Sequence, residues 1–97
     1  MKILALENEL PVATSEAFQQ YAAAEAHQAW EMHLAGTIRE LYFRANRDEA
    51  VLVLECASVA EAQRLLATLP YVREGLITFE VIPLKAYNGF ERLFSKE

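Results

Sequence analysis

Three side chains suited to acid–base chemistry fall within one stretch of the chain, residues 15–45. Glu25 and His33 lie on the apolar face of a predicted helix, and Arg39 follows three residues after Gly36. A carboxylate beside apolar side chains is expected to have a raised pKa, which suits a general base. A guanidinium can hold a substrate carboxylate through two parallel hydrogen bonds. The stretch therefore predicts proton transfer on a small carboxylated molecule, with Glu25, Arg39 and His33 as candidate catalytic residues.

Each of these residues also has a purely structural interpretation. Glu25 could lie at the rim of the helix face, with its carboxylate in water or paired with an arginine such as Arg39. His33 could bind the last carbonyls of its own helix, where the helix dipole favours a cation. Arg39 could extend into water from the edge of a sheet. The sequence leaves these alternatives open.

The elements that must position the three residues can be predicted from hydrophobic periodicity. Residues 15–36 form a helix that Thr14 or Ser15 caps and that Gly36 ends, and residues 37–45 form a strand. Alternation along this strand predicts two faces. The outer face carries Ile38, Glu40, Tyr42 and Arg44, and the helix-facing side carries Arg39, Leu41, Phe43 and Ala45. Hydrophobicity predicts a register in which Leu52, Leu54 and Cys56 of the next strand share the helix-facing side. On the outer face, Tyr42 and Arg44 are expected to pair across strands with Glu55 or Glu80.

The remaining pattern completes a β-α-β-β-α-β order. Strands are predicted over residues 2–9, 50–56 and 76–83, and a capping box at residues 58–61 starts a second helix that Pro70 ends, followed by an irregular connector. This order predicts an α+β, ferredoxin-like domain over residues 1–97, with both helices on one face of a four-stranded antiparallel sheet. The outer sheet face is apolar enough to predict a homodimer in which two sheets pack face to face.

Residues 84–97 form a C-terminal tail without a regular pattern. The tail carries four large apolar side chains, which are Tyr87, Phe90, Leu93 and Phe94. Because such side chains need cover, we expect the tail to act as a lid over a pocket or as a clasp on another subunit.

Composition excludes several classes of function. The formal charge is −5 and the basic residues are scattered, which argues against a nucleic-acid partner. Cys56 is the single cysteine and no apolar run approaches membrane-spanning length, so we expect a cytoplasmic protein that does not enter a membrane. With two histidines and three separated glycines, the chain offers no recognised metal or dinucleotide motif. No metal or cofactor is expected, and the expected ligand is a small molecule.

Three segments of the chain resemble muconolactone delta-isomerase and its bacterial relatives. They are AEAHQAWEMHLAGTIRELYFR, EAVLVLECASVAEAQRLLATLP and LITFEVIP, and they lie within the stretch from Ala24 to Pro83, about two-thirds of the chain. The resemblance implies a dimeric α+β barrel, in some relatives a larger ring of dimers, that shifts a proton on an unsaturated, carboxylated lactone without cofactor or metal. It matches Glu25 and Arg39 to family site positions, whereas His33 and the tail from Lys85 onward have no family counterpart.

Three hypotheses follow. The first is a cofactor-free isomerase in which Glu25 moves the proton, Arg39 holds the carboxylate or stabilises an enolate, and His33 assists. The second is a small-ligand-binding dimeric barrel without catalysis. The third is a cofactor-independent monooxygenase of the same superfamily, with Trp30 and Tyr42 lining a pocket for an aromatic substrate.

Overall fold

The computed structural model describes residues 1–94 and contains one four-stranded antiparallel sheet. The elements are β1 (Lys2–Glu9), α1 (Ser15–Leu34), β2 (Ile38–Phe43), β3 (Ala50–Glu55), α2 (Val59–Leu66), α3 (Pro70–Arg73) and β4 (Ile77–Pro83), followed by a 3₁₀ helix (Gly89–Phe94). The strand order is β2-β3-β1-β4. The predicted α+β, ferredoxin-like fold is confirmed. Within the described residues, none of the helices has both the length and the apolar character needed to cross a bilayer.

Local sequence explains both ends of α1. The Thr14 hydroxyl accepts a hydrogen bond from the Ala17 backbone amide at 3.1 Å, which caps the first turn. At the other end Gly36 has a φ of +83°, a conformation that costs other residues energy. The amides of Gly36 and Thr37 then donate to the carbonyls of His33 and Met32, as in a Schellman motif. The chain therefore turns sharply from the helix into β2.

The core lies between the helices and one face of the sheet. The sheet contributes Ile3 and Ala5 from β1 and Leu52 and Leu54 from β3, all at most 2% exposed. Helices α1 and α2 both pack on this face, and they contribute the buried residues Met32, Ala62 and Leu66. Because both crossovers lie on the same side, no helix among residues 1–94 packs on the opposite sheet face.

A β-bulge at Arg39 changes the predicted face of one residue. Ile38 pairs with Leu54, but Glu40 pairs with Val53, so Arg39 is an extra residue in β2. Ile38 consequently faces the core and is 1% exposed, and its predicted place on the outer face is wrong. Beyond the bulge the predicted register is confirmed, since Leu41 lies opposite Leu52.

The segment after α2 is more regular than predicted. Ser58 caps α2 through the Glu61 amide at 3.1 Å, as the capping box indicated. Helix α2 ends at Leu66, ahead of Pro70, and Pro70 occupies the start of α3, where its fixed φ and missing amide are tolerated. The predictions that Pro70 ends the second helix and that a connector follows it are therefore wrong.

The described part of the tail contributes little to the core. Tyr87, Phe90, Leu93 and Phe94 are 67–82% exposed, although Tyr87 and Phe90 pack edge to face at 5.0 Å. The domain measures 61 Å along its longest axis, against 28 and 21 Å across, as expected if the tail extends from the body. Residues 95–97 of the predicted tail lie outside the described residues.

Candidate functional site

A cavity of about 610 Å³ lies between α1 and the sheet. Its helical wall is formed largely by the small side chains Ala22, Ala26 and Ala29, which leave space above Leu41 and Leu52 of the sheet. Pockets for small molecules typically have volumes of roughly 300–1,000 Å³ and mostly apolar walls. The alanine face of α1 thus creates a cavity of ligand size.

Glu25 is held in this cavity by a backbone hydrogen bond. Its Oε1 accepts from the Tyr71 amide at 2.8 Å, so the unpredicted helix α3 positions it. Burial raises the pKa of Glu25, and the hydrogen bond from Tyr71 partly offsets that effect. The Tyr71 ring packs edge to face on Phe18 at 5.0 Å, which fixes this corner of the cavity. The Glu25 carboxylate is therefore a stronger base than the carboxylate of a surface glutamate.

Arg39 is oriented by the turn that precedes it. Its Nε donates to the Gly36 carbonyl at 2.6 Å, and the side chain lines the cavity. Within residues 1–94 no ion pair joins Arg39 to Glu25, so that alternative is not found in this chain. The hydrogen bond to Gly36 uses one of five N–H donors, and the remaining guanidinium donors can bind an anion.

His33 lines the cavity together with Arg39. Its Nδ1 lies 3.1 Å from the Ile38 carbonyl, and because a carbonyl only accepts, this nitrogen must carry the hydrogen. The Nε2 atom is then the acceptor of the neutral ring. His33 thus binds a carbonyl of β2 rather than the last carbonyls of α1. The Trp30 ring, which also lines the cavity, lies 5.6 Å away between centroids.

The structure brings all three candidate residues to one cavity but not to one point. Eight residues separate Glu25 from His33, which corresponds to about 12 Å along a helix. Glu25 therefore occupies one end of the cavity, and His33 and Arg39 the other. A ligand that spans the cavity can meet the Glu25 carboxylate at one end and the Arg39 guanidinium and the His33 ring at the other. Their assignment as catalytic residues remains a prediction.

Sequence reasoning missed a second carboxylate, Glu7. It is half-buried, lines the same cavity from β1, and accepts a hydrogen bond from the Ala50 amide at 3.2 Å. Burial raises the pKa of Glu7, and the nearby carboxylates of Glu49, Glu25 and Glu9 raise it further. The sequence does contain a signal for this residue. Ile3 and Ala5 are buried, and continuing the strand alternation by two residues places Glu7 on the same inward face.

Glu49 supports this end of the cavity. It is 9% exposed, and its Oε2 accepts from the Glu9 amide at 2.9 Å. Its Oε1 lies 2.6 Å from the Arg47 Nε. These contacts tie the β2–β3 turn to the end of β1, where Glu7 lies.

Two polar side chains of the hairpin have other partners than predicted. Cross-strand pairing with Glu55 or Glu80 was expected for Tyr42 and Arg44. Instead the Tyr42 hydroxyl donates to Glu40 at 2.8 Å, and Arg44 lies 4.0 Å from Glu49. In the described part of the chain, no group of three or more His, Cys, Asp and Glu side chains is arranged to hold a metal ion.

The fold and cavity define a ferredoxin-like protein with one ligand-sized pocket between α1 and the sheet. The family model of muconolactone delta-isomerase matches residues 4–89. The chain therefore belongs to the muconolactone delta-isomerase family, as the sequence resemblance predicted.

Solved structures share the fold of this chain. A crystal structure of muconolactone isomerase superimposes with a TM-score of 0.75 and 24% identity, covering 91% of this chain and 92% of that one. The 5-chloro-2-hydroxyhydroquinone dehydrochlorinase of Burkholderia phenoliruptrix AC1100, solved with 2,5-dihydroxybenzoquinone, gives 0.70 and 16%, covering 92% and 98%. Among curated protein sequences, none matches this chain.

Proposed function

We propose that this protein is a cofactor-free isomerase that moves a proton on a small, carboxylated, lactone-like substrate. The observation that carries the proposal is the position of Glu25, a half-buried carboxylate of raised pKa in a cavity that Arg39 also lines. Family membership supports an isomerase-like activity, because the family model that matches is that of a delta-isomerase. The substrate class follows from the pairing of a base with a guanidinium across an apolar space.

In the proposed reaction, the Glu25 carboxylate removes a proton from a carbon that the lactone carbonyl acidifies. The C–H electrons form a new double bond, the existing double bond shifts, and negative charge moves onto the carbonyl oxygen. Arg39 binds the substrate carboxylate, and His33 accepts a hydrogen bond beside it through Nε2. Return of a proton to the far carbon of the three-carbon system completes the isomerisation, with no net gain or loss of atoms.

The test is turnover of unsaturated γ-lactones that bear a carboxylate, with muconolactone first, by wild type and Glu25→Gln. Glutamine can still accept the Tyr71 hydrogen bond, so the fold should be kept while the base is lost. We expect turnover to fall by about 10²–10⁴-fold, the range for general-base removal. Glu31→Gln, an exposed position on the same helix, should retain activity. Undiminished turnover by Glu25→Gln would contradict the proposal.

A second proposal is a small-ligand-binding barrel without catalysis. It is favoured by the apolar wall of the cavity, where alanines of α1 and the Trp30 ring provide contact surface without chemistry. Calorimetric binding of the lactones without turnover by wild type would favour this function. Turnover that depends on Glu25 would exclude it.

We also propose that a second copy of the chain covers the free sheet face. Five apolar side chains on that face remain half-exposed, namely Leu4, Leu6, Val51, Val53 and Ile82. Light scattering after size-exclusion chromatography should give at least twice the 11.0 kDa mass of one chain. Val53→Lys should shift the mass toward that of the monomer, because an uncompensated charge would enter the interface. A wild-type monomer at micromolar concentration would contradict a homodimer.

A further inference from the structure

We propose that Glu7 is a second acid–base residue of the cavity, which delivers a proton to the ligand as Glu25 removes one. This inference rests on the proposed function, since it assigns the second half of the same proton transfer. Glu7 lies on the cavity side of β1, where it pairs with Phe79 of β4, another residue of the cavity lining.

The first argument is the symmetry of the two carboxylates. Glu25 enters the cavity from α1 and Glu7 from β1, so they lie on opposite walls. Each has one oxygen on a backbone amide, that of Tyr71 at 2.8 Å and that of Ala50 at 3.2 Å. Among residues 1–94 no further hydrogen bond to either carboxylate is found. Each group is thus fixed in place through one oxygen and has the other available to a ligand between the walls.

The second argument is electrostatic. Within residues 1–94, the titratable groups that influence Glu7 are acidic or neutral, namely Glu49 on the β2–β3 turn, Glu25 on α1, Glu9 on its own strand and Tyr71 on α3. Two carboxylates that face one apolar space disfavour double ionisation, so one tends to keep its proton. Retention of one proton also reduces repulsion of a carboxylated ligand. The pair therefore supplies an acid and a base at the same pH.

The third argument is the geometry of an allylic proton shift. A substrate between helix and sheet presents opposite faces to Glu25 and Glu7. Glu25 takes a proton as the C–H bond breaks, and the electron pair shifts through the three-carbon unit. The O–H bond of Glu7 breaks as a new C–H bond forms at the far carbon. The cycle ends with Glu25 protonated and Glu7 ionised, and proton exchange with water restores the starting state.

The decisive experiment follows two rates in D₂O with muconolactone as the probe, namely exchange of the substrate C–H and formation of the isomer. In Glu25→Gln, both exchange of the substrate C–H and formation of the isomer should be lost. Glu7→Gln should keep exchange within about tenfold of wild type but lose isomerisation by about 10²-fold or more, because abstraction persists while proton delivery fails. The control is Glu9→Gln, the next inward-facing carboxylate of β1 but outside the cavity lining, and it should keep both rates. Isomerisation by Glu7→Gln within threefold of wild type would overturn the proposal.

A second measurement does not depend on turnover. Carboxyl ¹³C NMR of the full chain should show a raised pKa for Glu7 that decreases in Glu25→Gln, because removal of the facing charge makes ionisation easier. The exposed Glu31→Gln should leave the Glu7 titration unchanged. A Glu7 titration that is indifferent to Glu25→Gln would overturn the shared-proton pair. If wild type turns over no lactone, the proposed function fails, and the titration alone decides whether the two carboxylates are coupled.

Discussion

Helices α1 and α2 cover the same sheet face in opposite ways. Helix α2 has eight residues and places Ala62 and Leu66 in the core, each at most 3% exposed. Helix α1 has twenty residues, but Met32 is the one it buries. The shorter helix therefore contributes more dense packing per residue, and the longer one forms the roof of a cavity. The α2 side of the domain therefore contributes mainly to stability, and the α1 side encloses the space for a ligand.

Polar contacts compensate for the poor packing of α1. The Gln28 side-chain amide donates to the Thr68 hydroxyl at 2.9 Å, and Glu25 accepts from the Tyr71 amide. Both partners lie in or just before α3, so this short helix anchors the middle of α1. A roof held by a few hydrogen bonds rather than by large buried side chains leaves room for a ligand beneath it.

The largest expected effect comes from a loss of packing under α2. Leu66→Ala should lower the free energy of unfolding by about 2–5 kcal/mol, since a buried leucine leaves a void. Because Leu66 is not in the cavity lining, turnover per folded molecule should be unchanged. Urea denaturation and an activity assay at low temperature measure the two quantities. A decrease in the free energy of unfolding of less than about 1 kcal/mol would contradict the proposed difference in packing between α1 and α2.

The opposite change under α1 should remove function rather than stability. Ala26→Leu fills the cavity from its roof, and we expect ligand affinity or turnover to fall at least tenfold, equivalent to about 1.4 kcal/mol. The free energy of unfolding should change by less than about 1 kcal/mol, since the leucine enters existing space. Ala24→Leu, exposed and outside the cavity lining, controls for the added side chain. Equal activity of both variants would show that the cavity is not used.

Two glycines allow backbone strain to be separated from the position of Arg39. Gly36 and Gly75 have φ values of +83° and +74°, so alanine at either should cost about 1–2 kcal/mol. Gly36→Ala also perturbs the carbonyl that binds Arg39, so its affinity for a carboxylated ligand should fall severalfold, whereas Gly75→Ala should keep wild-type affinity. Thermal denaturation and isothermal calorimetry test this pair. Equal affinities would remove the proposed link between the turn and Arg39.

The smallest expected effect is a pH dependence of stability. Folding raises the pKa of Glu7 and Glu25, so their ionised forms are penalised in the folded state. This penalty is present above the folded pKa and disappears as the pH falls below the unfolded value near 4.5. The double variant Glu7→Gln/Glu25→Gln should therefore melt above wild type at pH 7.5 but equally at pH about 4. A difference that grows on acidification would contradict the burial of these carboxylates.

The fold was predictable because its signals are local. The capping residues Thr14 and Ser58, the glycine after α1 and the alternating strands each act over a few positions, and together they specify the strand order. Glu25, His33 and Arg39 were also predictable as residues of one cavity, since Glu25 and His33 share the inner face of α1 and Arg39 follows at the start of β2. Their separation into two ends required the three-dimensional spacing.

The errors arise where distant segments meet. Glu7 was passed over because β1 reads as a nearly continuous apolar run, and its pairing with Phe79 of β4, another residue of the cavity lining, shows which face it occupies. Helix α3 was missed because Pro70 indicates a stop and a start equally well. The face of Ile38 was wrong because an extra residue in a strand leaves no clear mark in hydrophobic alternation. Each case depends on a contact that sequence spacing does not encode.

Because of the bulge in β2, deletion of Arg39 and its substitution would have different structural effects. Arg39 is the unpaired residue of the strand, so its removal would restore an ordinary ladder between Ile38 and Glu40. Deletion and substitution are thus different perturbations: Arg39→Ala removes a guanidinium, whereas deletion also regularises the strand. One deletion would therefore remove the guanidinium that we propose binds the substrate carboxylate and, in the same step, straighten the edge of the sheet.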